Sequence, residues 1–323
     1  MATADFEDIY FTSRDGLRLY GRHYRAKTPS NARPIVCLAG LTRNSRDFHV
    51  IANALSSGSK PRDVFTLDTR GRGLSEHDSD WKNYAVPIEM QDAIDFMTML
   101  GVRNAGIIGT SRGGLISMVL AAAQPSLMGA VVLNDIGPVI ESEGLARIAG
   151  YVGRVPVPKT WADAARIVGD LMARDFPKLS DQDHAAVARQ LFNEKNGKPV
   201  SGYDPKLARC LSVLDGPIPK LWPQFEAMKR IPVLVLRGAN SDLLSEATVQ
   251  EMGQRHPKLS THTVPDEGHA PLLRDEVSIA AVASFFTETD SKAAASPREA
   301  GRSHYASRLV STSPLSTRRE NSV

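Results

Sequence analysis

Gly109-Thr110-Ser111-Arg112-Gly113-Gly114 is the stretch on which the fold turns. It fits the spacing G-x-S-x-G, with the apolar run AGIIG at 105–109 ahead of it and the helical pattern RGGLISMVLAAA at 112–123 behind it. A serine on so sharp a strand-to-helix turn is held in a strained backbone conformation, and small neighbours let other backbone pass close by. The helix that follows offers free N–H groups and the positive end of its dipole where a negative oxygen would form. Strand before and helix after turn a common five-residue pattern into a candidate nucleophile, Ser111.

Working outward, short apolar runs alternate with helical stretches. The runs lie at 35–39, 64–67, 105–109, 130–133, 233–236 and 260–264; the helical patterns lie at 47–56, 87–100, 112–123, 246–255 and 276–286. All but the last run are apolar nearly throughout, as expected of parallel strands covered on both faces, and the more polar last one reads as an edge. Segments 6–11 and 17–24 flank an Asp15-Gly16 turn and predict an antiparallel hairpin ahead of them. The alternation predicts an α/β fold with a doubly wound, mostly parallel sheet.

Between 138 and 222 the alternation stops. Helical patterns near 140–152, 161–172, 181–192 and 204–214 are punctuated by Pro and Gly, with no clear strand run. A helical insertion between strands six and seven is naturally a lid over the sheet. The expected organisation is therefore a core of 1–137 plus 223–287, a lid at 138–222, and a disordered tail at 288–323. That tail is Ser-, Thr-, Ala- and Arg-rich and cannot bury enough apolar area to offset its ordering entropy.

Composition narrows the function. With 42% hydrophobic residues the chain is too apolar for intrinsic disorder, and a formal net charge of +3 without a dense basic stripe in its body argues against nucleic acid. Cys37 and Cys210 cannot build a disulfide framework and have no metal-ligand spacing. The acidic start MATADFE lacks an apolar run, and no uninterrupted apolar stretch is long enough to span a membrane, so a cytoplasmic setting is expected. HExxH, CxxC and P-loop patterns are missing from the sequence, so no metal or organic cofactor is implied.

A serine needs a base, and the base needs an orienting acid. Of eight histidines, His269 sits on a loop after the last strand and before the last helix, at the carboxyl edge of the sheet that also carries the serine turn. The others fall in the first hairpin, a helix, a loop, the insertion, a helix end, a strand and the tail: His23, His49, His77, His184, His256, His262 and His304. Two acids follow strands at the same edge. Asp242, after the VLVL run, gives the chain order Ser, Asp, His and is the first choice; Asp135, directly after the AVVL run, is the alternative.

These residues resemble the α/β-hydrolase fold superfamily, in its lidded, serine-nucleophile form, over about 6–286. Leu38-Ala39-Gly40-Leu41-Thr42 resembles the family loop that supplies one oxyanion-hole N–H, so the resemblance implies Leu41 and Arg112 as backbone donors. Asp68-Thr69-Arg70-Gly71-Arg72-Gly73-Leu74-Ser75 resembles a structural loop of the family. Two departures stand out: Leu38-Ala39 where His-Gly or Gly-Gly is usual, and Arg112 directly after the serine. The Arg112 guanidinium either reaches the pocket and binds a substrate carboxylate or folds back onto a buried acid such as Asp135 or Glu141.

The expected chemistry is acyl transfer to water on a small carboxylic ester or lactone, by Ser111, His269 and Asp242. Trp161, Tyr203 and Trp222, with Phe176 and Phe192, are candidate pocket aromatics of the lid or else its own core. Two rival readings are cleavage of a carbon–carbon bond in a vinylogous diketo acid and a non-catalytic ligand-binding protein on the same scaffold. No motif speaks to oligomeric state.

Overall fold

The computed structural model describes residues 5–212 and 218–295. A hairpin of β1 (Glu7–Thr12) and β2 (Arg18–Tyr24) opens the chain. It is followed by β3 (Ile35–Leu38), α1 (His49–Ser57), β4 (Val64–Asp68), α2 (Val86–Met99), β5 (Ala105–Thr110), α3 (Arg112–Ala123) and β6 (Met128–Asn134). The insertion then carries α4 (Ser142–Tyr151), α5 (Trp161–Met172), α6 (Asp181–Leu191), β7 (Asn193–Lys195), β8 (Lys198–Val200) and α7 (Arg209–Ser212). The chain ends through α8 (Trp222–Glu226), β9 (Val233–Gly238), α9 (Glu246–Arg255), β10 (Leu259–Val264) and α10 (Glu276–Ala295).

Eight strands form one sheet in the order β1-β2-β4-β3-β5-β6-β9-β10, antiparallel at β1–β2 and β2–β4 and parallel from β4 onward. Alternate residues bury on opposite faces. Val36, Leu38, Ile107, Val131, Leu133, Val233 and Val235 pack in one core, while Ile35, Cys37, Ile108, Ala130, Val132, Leu234 and Leu236 pack in another. Two cores on one sheet explain why these strands read as continuous apolar runs. The crossovers from β3 and from β5 run to opposite sides of the sheet, so a crevice opens where those two neighbours end, and ligands of such sheets bind there.

The insertion is not wholly helical. β7 and β8 form a short antiparallel hairpin turning at Asn196-Gly197, both with positive φ (51° and 73°). Asn-Gly is a strong signal for such a turn, but the flanks Glu194-Lys195 and Lys198-Pro199 lack apolar alternation, which hid it. The helical pattern at 204–214 resolves into a 3-10 turn, Pro205–Ala208, and the short α7, with positions 213 and 214 outside the described residues. At the other end α10 runs past Thr287 to Ala295, into the stretch assigned to the tail; the remainder, 296–323 with His304, lies outside the described residues. Among the described residues no helix is long and apolar enough to cross a membrane.

Candidate active site

Ser111 occupies the turn between β5 and α3 with φ 51° and ψ −115°, a region costly for a residue with a Cβ. Its N–H donates to Asn134 O (3.0 Å), tying the turn to the end of β6. The flanking glycines are required by close approach: a Cβ on Gly113 would lie 2.0 Å from Leu38 O, and one on Gly109 would lie 2.6 Å from Gly113 O. Helix α3 therefore presses backbone to backbone against β3 and β5, and Ser111, half-buried, stands at the sheet edge in the wall of a cavity.

His269, on the loop after β10, is 2.8 Å from Ser111 Oγ through Nε2 and 2.8 Å from Asp135 Oδ2 through Nδ1. A carboxylate only accepts, so Nδ1 carries the proton and Nε2 is free to accept from the Ser111 hydroxyl. Asp135 is fully buried and the His269 side chain is 6% exposed. Two further donors hold Asp135: Gly238 N–H to Oδ1 (2.8 Å) and Ser241 Oγ to Oδ2 (2.6 Å). Ser111, His269 and Asp135 thus form one unbroken hydrogen-bonded line, shielded from water at its acid end.

Asp242, the first choice from the sequence, is not the partner of His269. It accepts two bonds from Arg147 of α4 (2.6 and 2.8 Å), and that pairing holds its carboxyl below the usual carboxylate range. The reason is positional. β6 lies between β5 and β9, and Asp135 follows it at once with φ 55°, which turns its carboxylate toward the β9 loop. Asp242 sits farther along that loop, under the insertion.

A cavity of about 160 Å³ opens between the sheet edge and the insertion, with Ser111 and His269 in its wall. Leu41, Ile148, Tyr151, Leu171, Met172 and Phe176 supply much of its apolar lining. Trp161, Tyr203 and Trp222 are not among its lining residues. Trp161 packs with the α5–α6 core and under Arg189, Trp222 stacks edge-on against Phe225, and the Tyr203 hydroxyl accepts from Gly153 N–H. Phe192 is buried within the α5–α6 core. The Arg112 guanidinium also turns away, bonding Glu89 Oε2 (2.5 Å) and Tyr84 O (2.7 Å), so it folds onto a buried acid other than Asp135 or Glu141. The carbon–carbon reading loses the carboxylate anchor it leaned on.

Sequence reading missed the polar residues that do line the cavity. Arg43 is held side-on by Asp47 (2.7 and 2.7 Å), and Arg147 is held by Asp242 and, at 3.4 Å, by Asp175. Asp47 and Asp175 carry no motif, and only the i,i+4 spacing of Arg43 and Asp47 is legible in advance. Leu41 shares the cavity wall with Ser111, and a Cβ on its neighbour Gly40 would lie 3.7 Å from Ser111 Cβ; Arg112 N–H is the first of α3, where no intrahelical carbonyl exists. Asp68 is structural, accepting from Ser45 N–H (2.6 Å) and Leu74 N–H (2.8 Å).

A strained serine turn, a histidine–carboxylate line and a mixed sheet with a helical insertion define a hydrolase built on a doubly wound α/β scaffold. The chain belongs to the alpha/beta hydrolase fold family, whose model matches residues 33–276. It is similar to 3-hydroxybutyrate-oligomer hydrolase of Cupriavidus necator, at 36% identity over 80% of this chain and 90% of that protein. It is also similar to an sn-1-specific diacylglycerol lipase of Danio rerio, at 27% identity over 73% of this chain and 72% of that one. The crystal structure of an alpha/beta hydrolase from Novosphingobium aromaticivorans superposes with a TM-score of 0.81 at 38% identity, covering 88% of this chain and 99% of that one.

Proposed function

We propose that this protein hydrolyses a small carboxylic ester through an acyl-enzyme on Ser111. The hydrogen-bonded line Asp135–His269–Ser111 at the cavity wall carries the reading. As Ser111 Oγ attacks the ester carbonyl carbon, its proton passes to His269 Nε2, and buried Asp135 stabilises the imidazolium and fixes the ring. The carbonyl oxygen becomes negative and is met by the N–H groups of Leu41 and Arg112; one such donor lowers the barrier by about 2.7–4 kcal/mol. His269 then returns the proton to the leaving alkoxide, the C–O bond breaks, and the alcohol departs. Water, deprotonated by His269, attacks the acyl carbon, and collapse releases the acid and restores Ser111.

The cavity favours a short acyl unit. An engineered apolar cavity of about 150 Å³ holds a benzene-sized guest, and this one, at about 160 Å³, is similar. Together with the oligomer hydrolase relative, this supports linear esters of short hydroxy acids as substrates. The test is intact-mass analysis after a fluorophosphonate, for wild type and Ser111→Ala, followed by turnover of 3-hydroxybutyrate dimer beside acetyl, butyryl and octanoyl esters. One adduct on wild type only, with short esters preferred, supports the reading. An unlabelled wild type overturns the acyl-enzyme, and preference for octanoyl overturns the substrate class.

A further inference from the structure

The feature that sets this serine turn apart, an arginine directly after the nucleophile, is tied to a buried charge cluster. Glu89 of α2 is fully buried and accepts from two guanidinium groups, Arg72 Nη1 at Oε1 (2.5 Å) and Arg112 Nε at Oε2 (2.5 Å). Arg72, also fully buried, sends its Nε to Leu41 O (2.8 Å) and Nη1 to Arg70 O (2.7 Å). Burial by itself would raise the Glu89 carboxyl, but Arg112 and Arg72 outweigh it and keep it ionised, below the usual range.

We propose that Arg72, Glu89 and the Arg112 side chain are positioning residues that set the oxyanion hole, a role that rests on the acyl-transfer reading above. The two donors come from different elements that already pack together: Leu41 belongs to the loop after β3, and Arg112 opens α3. The cluster joins them through three side chains. At one end Arg72 fixes the Leu41 carbonyl, while Arg43 N–H holds the Gly40 carbonyl (3.1 Å), so the peptides on both sides of Leu41 are anchored. At the other end Glu89 and Tyr84 O hold the Arg112 side chain, and with it the first turn of α3.

Charge adds to geometry. Among the described residues two guanidinium groups face one carboxylate, leaving one net positive charge, and Arg72 Nη2 is buried without an acceptor. Burying these ions is expensive, and a well-packed apolar set would stabilise the fold as well or better. An excess positive charge on fully buried groups is, in contrast, screened less than it would be in solvent, so a negative charge developing at the hole feels it more strongly. The cluster then acts on the transition state and leaves ground-state binding alone.

Arg112→Gln keeps the backbone N–H and removes the clamp; Glu89→Gln removes the shared acceptor; Arg112→Lys retains the charge with one donor group. We expect kcat on a short ester to fall about 10–100-fold in the Gln variants, a fraction of the loss of a whole donor. KM should stay within about twofold, as for an interaction made only in the transition state. Affinity for an alkylboronic acid, which mimics the tetrahedral oxyanion, should weaken by the same factor as kcat, and Arg112→Lys should recover part of both. The fluorophosphonate experiment on wild type separates the two ideas. An unlabelled wild type overturns the acyl-enzyme and this role together. With a labelled wild type, an Arg112→Gln variant that keeps full kcat and boronate affinity, or that loses only KM, overturns the role alone. Should Glu89→Gln fail to fold, Arg112→Gln decides, since its side chain reaches the surface of the cluster (14% exposed).

Discussion

Asp135 and His269 stand 134 positions apart, yet a 2.8 Å hydrogen bond joins them, while Asp242, closer in sequence, is claimed by Arg147 of the insertion. The two acids therefore have separable consequences. Asp135→Asn leaves an amide that can donate to Nδ1 and so favours the wrong imidazole tautomer; the comparable substitution in a serine protease lowers kcat about 10⁴-fold. A loss of about 10³–10⁴-fold in kcat is expected here. Asp242→Asn should cost less than about tenfold. Steady-state kinetics on one short ester compares the two, and equal losses would remove Asp135 from its role.

Ser241 Oγ shares the carboxylate oxygen that receives His269, at 2.6 Å, and itself accepts from Leu243 and Leu244 N–H (3.3 and 3.2 Å). A hydrogen bond to a charged group contributes about 1.5–3 kcal/mol. Ser241→Ala should lower kcat about tenfold by freeing Asp135 to tilt, with KM nearly unchanged. A variant with wild-type kcat would show that Gly238 N–H suffices to hold the acid.

The Arg147–Asp242 pair joins the insertion to the β9 loop, and its loss should depend on pH in a defined sense. Arg147 lowers the Asp242 carboxyl in the folded protein, whereas the unfolded chain titrates near about 3.9. The contribution to stability is thus complete above that value and disappears as pH falls through the lower, folded one. Asp242→Asn should destabilise the protein by about 2 kcal/mol at pH 7. The gap between the two melting temperatures should begin to narrow as pH falls below about 3.9. Calorimetry from pH 7 to pH 3 measures it; a constant gap would mean that packing, and not the ion pair, holds the two segments.

The cavity wall makes a steric prediction. Met172 lines the cavity and Trp161 does not. Met172→Trp should fill space and raise KM for a butyryl ester by about tenfold, with a smaller effect on acetyl, because discrimination by one or two methylenes is worth about 1–3 kcal/mol. Trp161→Ala should leave both KM values within about twofold and act on stability through the α5–α6 core. The opposite ranking would relocate the acyl pocket.

Local sequence carried the serine turn because its requirements are local. A strained residue, two glycines where backbone meets backbone, and a helix start are all written within six positions. The parallel strands were legible for a related reason: burial on both faces leaves an apolar run that polar substitution would ruin. His269 could be placed because the sheet order puts every strand-to-helix loop from the parallel part on one edge. The Asn196-Gly197 hairpin shows the limit, since its turn was written locally and its strands had no apolar face to reveal them.

The choice between Asp135 and Asp242 was not in the sequence. Both follow strands, both precede His269, and nothing within a few residues of either differs in a decisive way. It was settled by which strand lies beside β5 and by an arginine on α4 that captures the competing acid. The same holds for Arg112, whose side chain is directed by a glutamate 23 positions away. Sequence by itself determined the α/β scaffold, the strained Ser111 turn and the loop that carries His269, because each rests on periodicity or on backbone conformation. Tertiary structure alone decided which acid meets His269, which side chains wall the cavity and where the Arg112 guanidinium is held, because charge pairing depends on distances that no local pattern encodes.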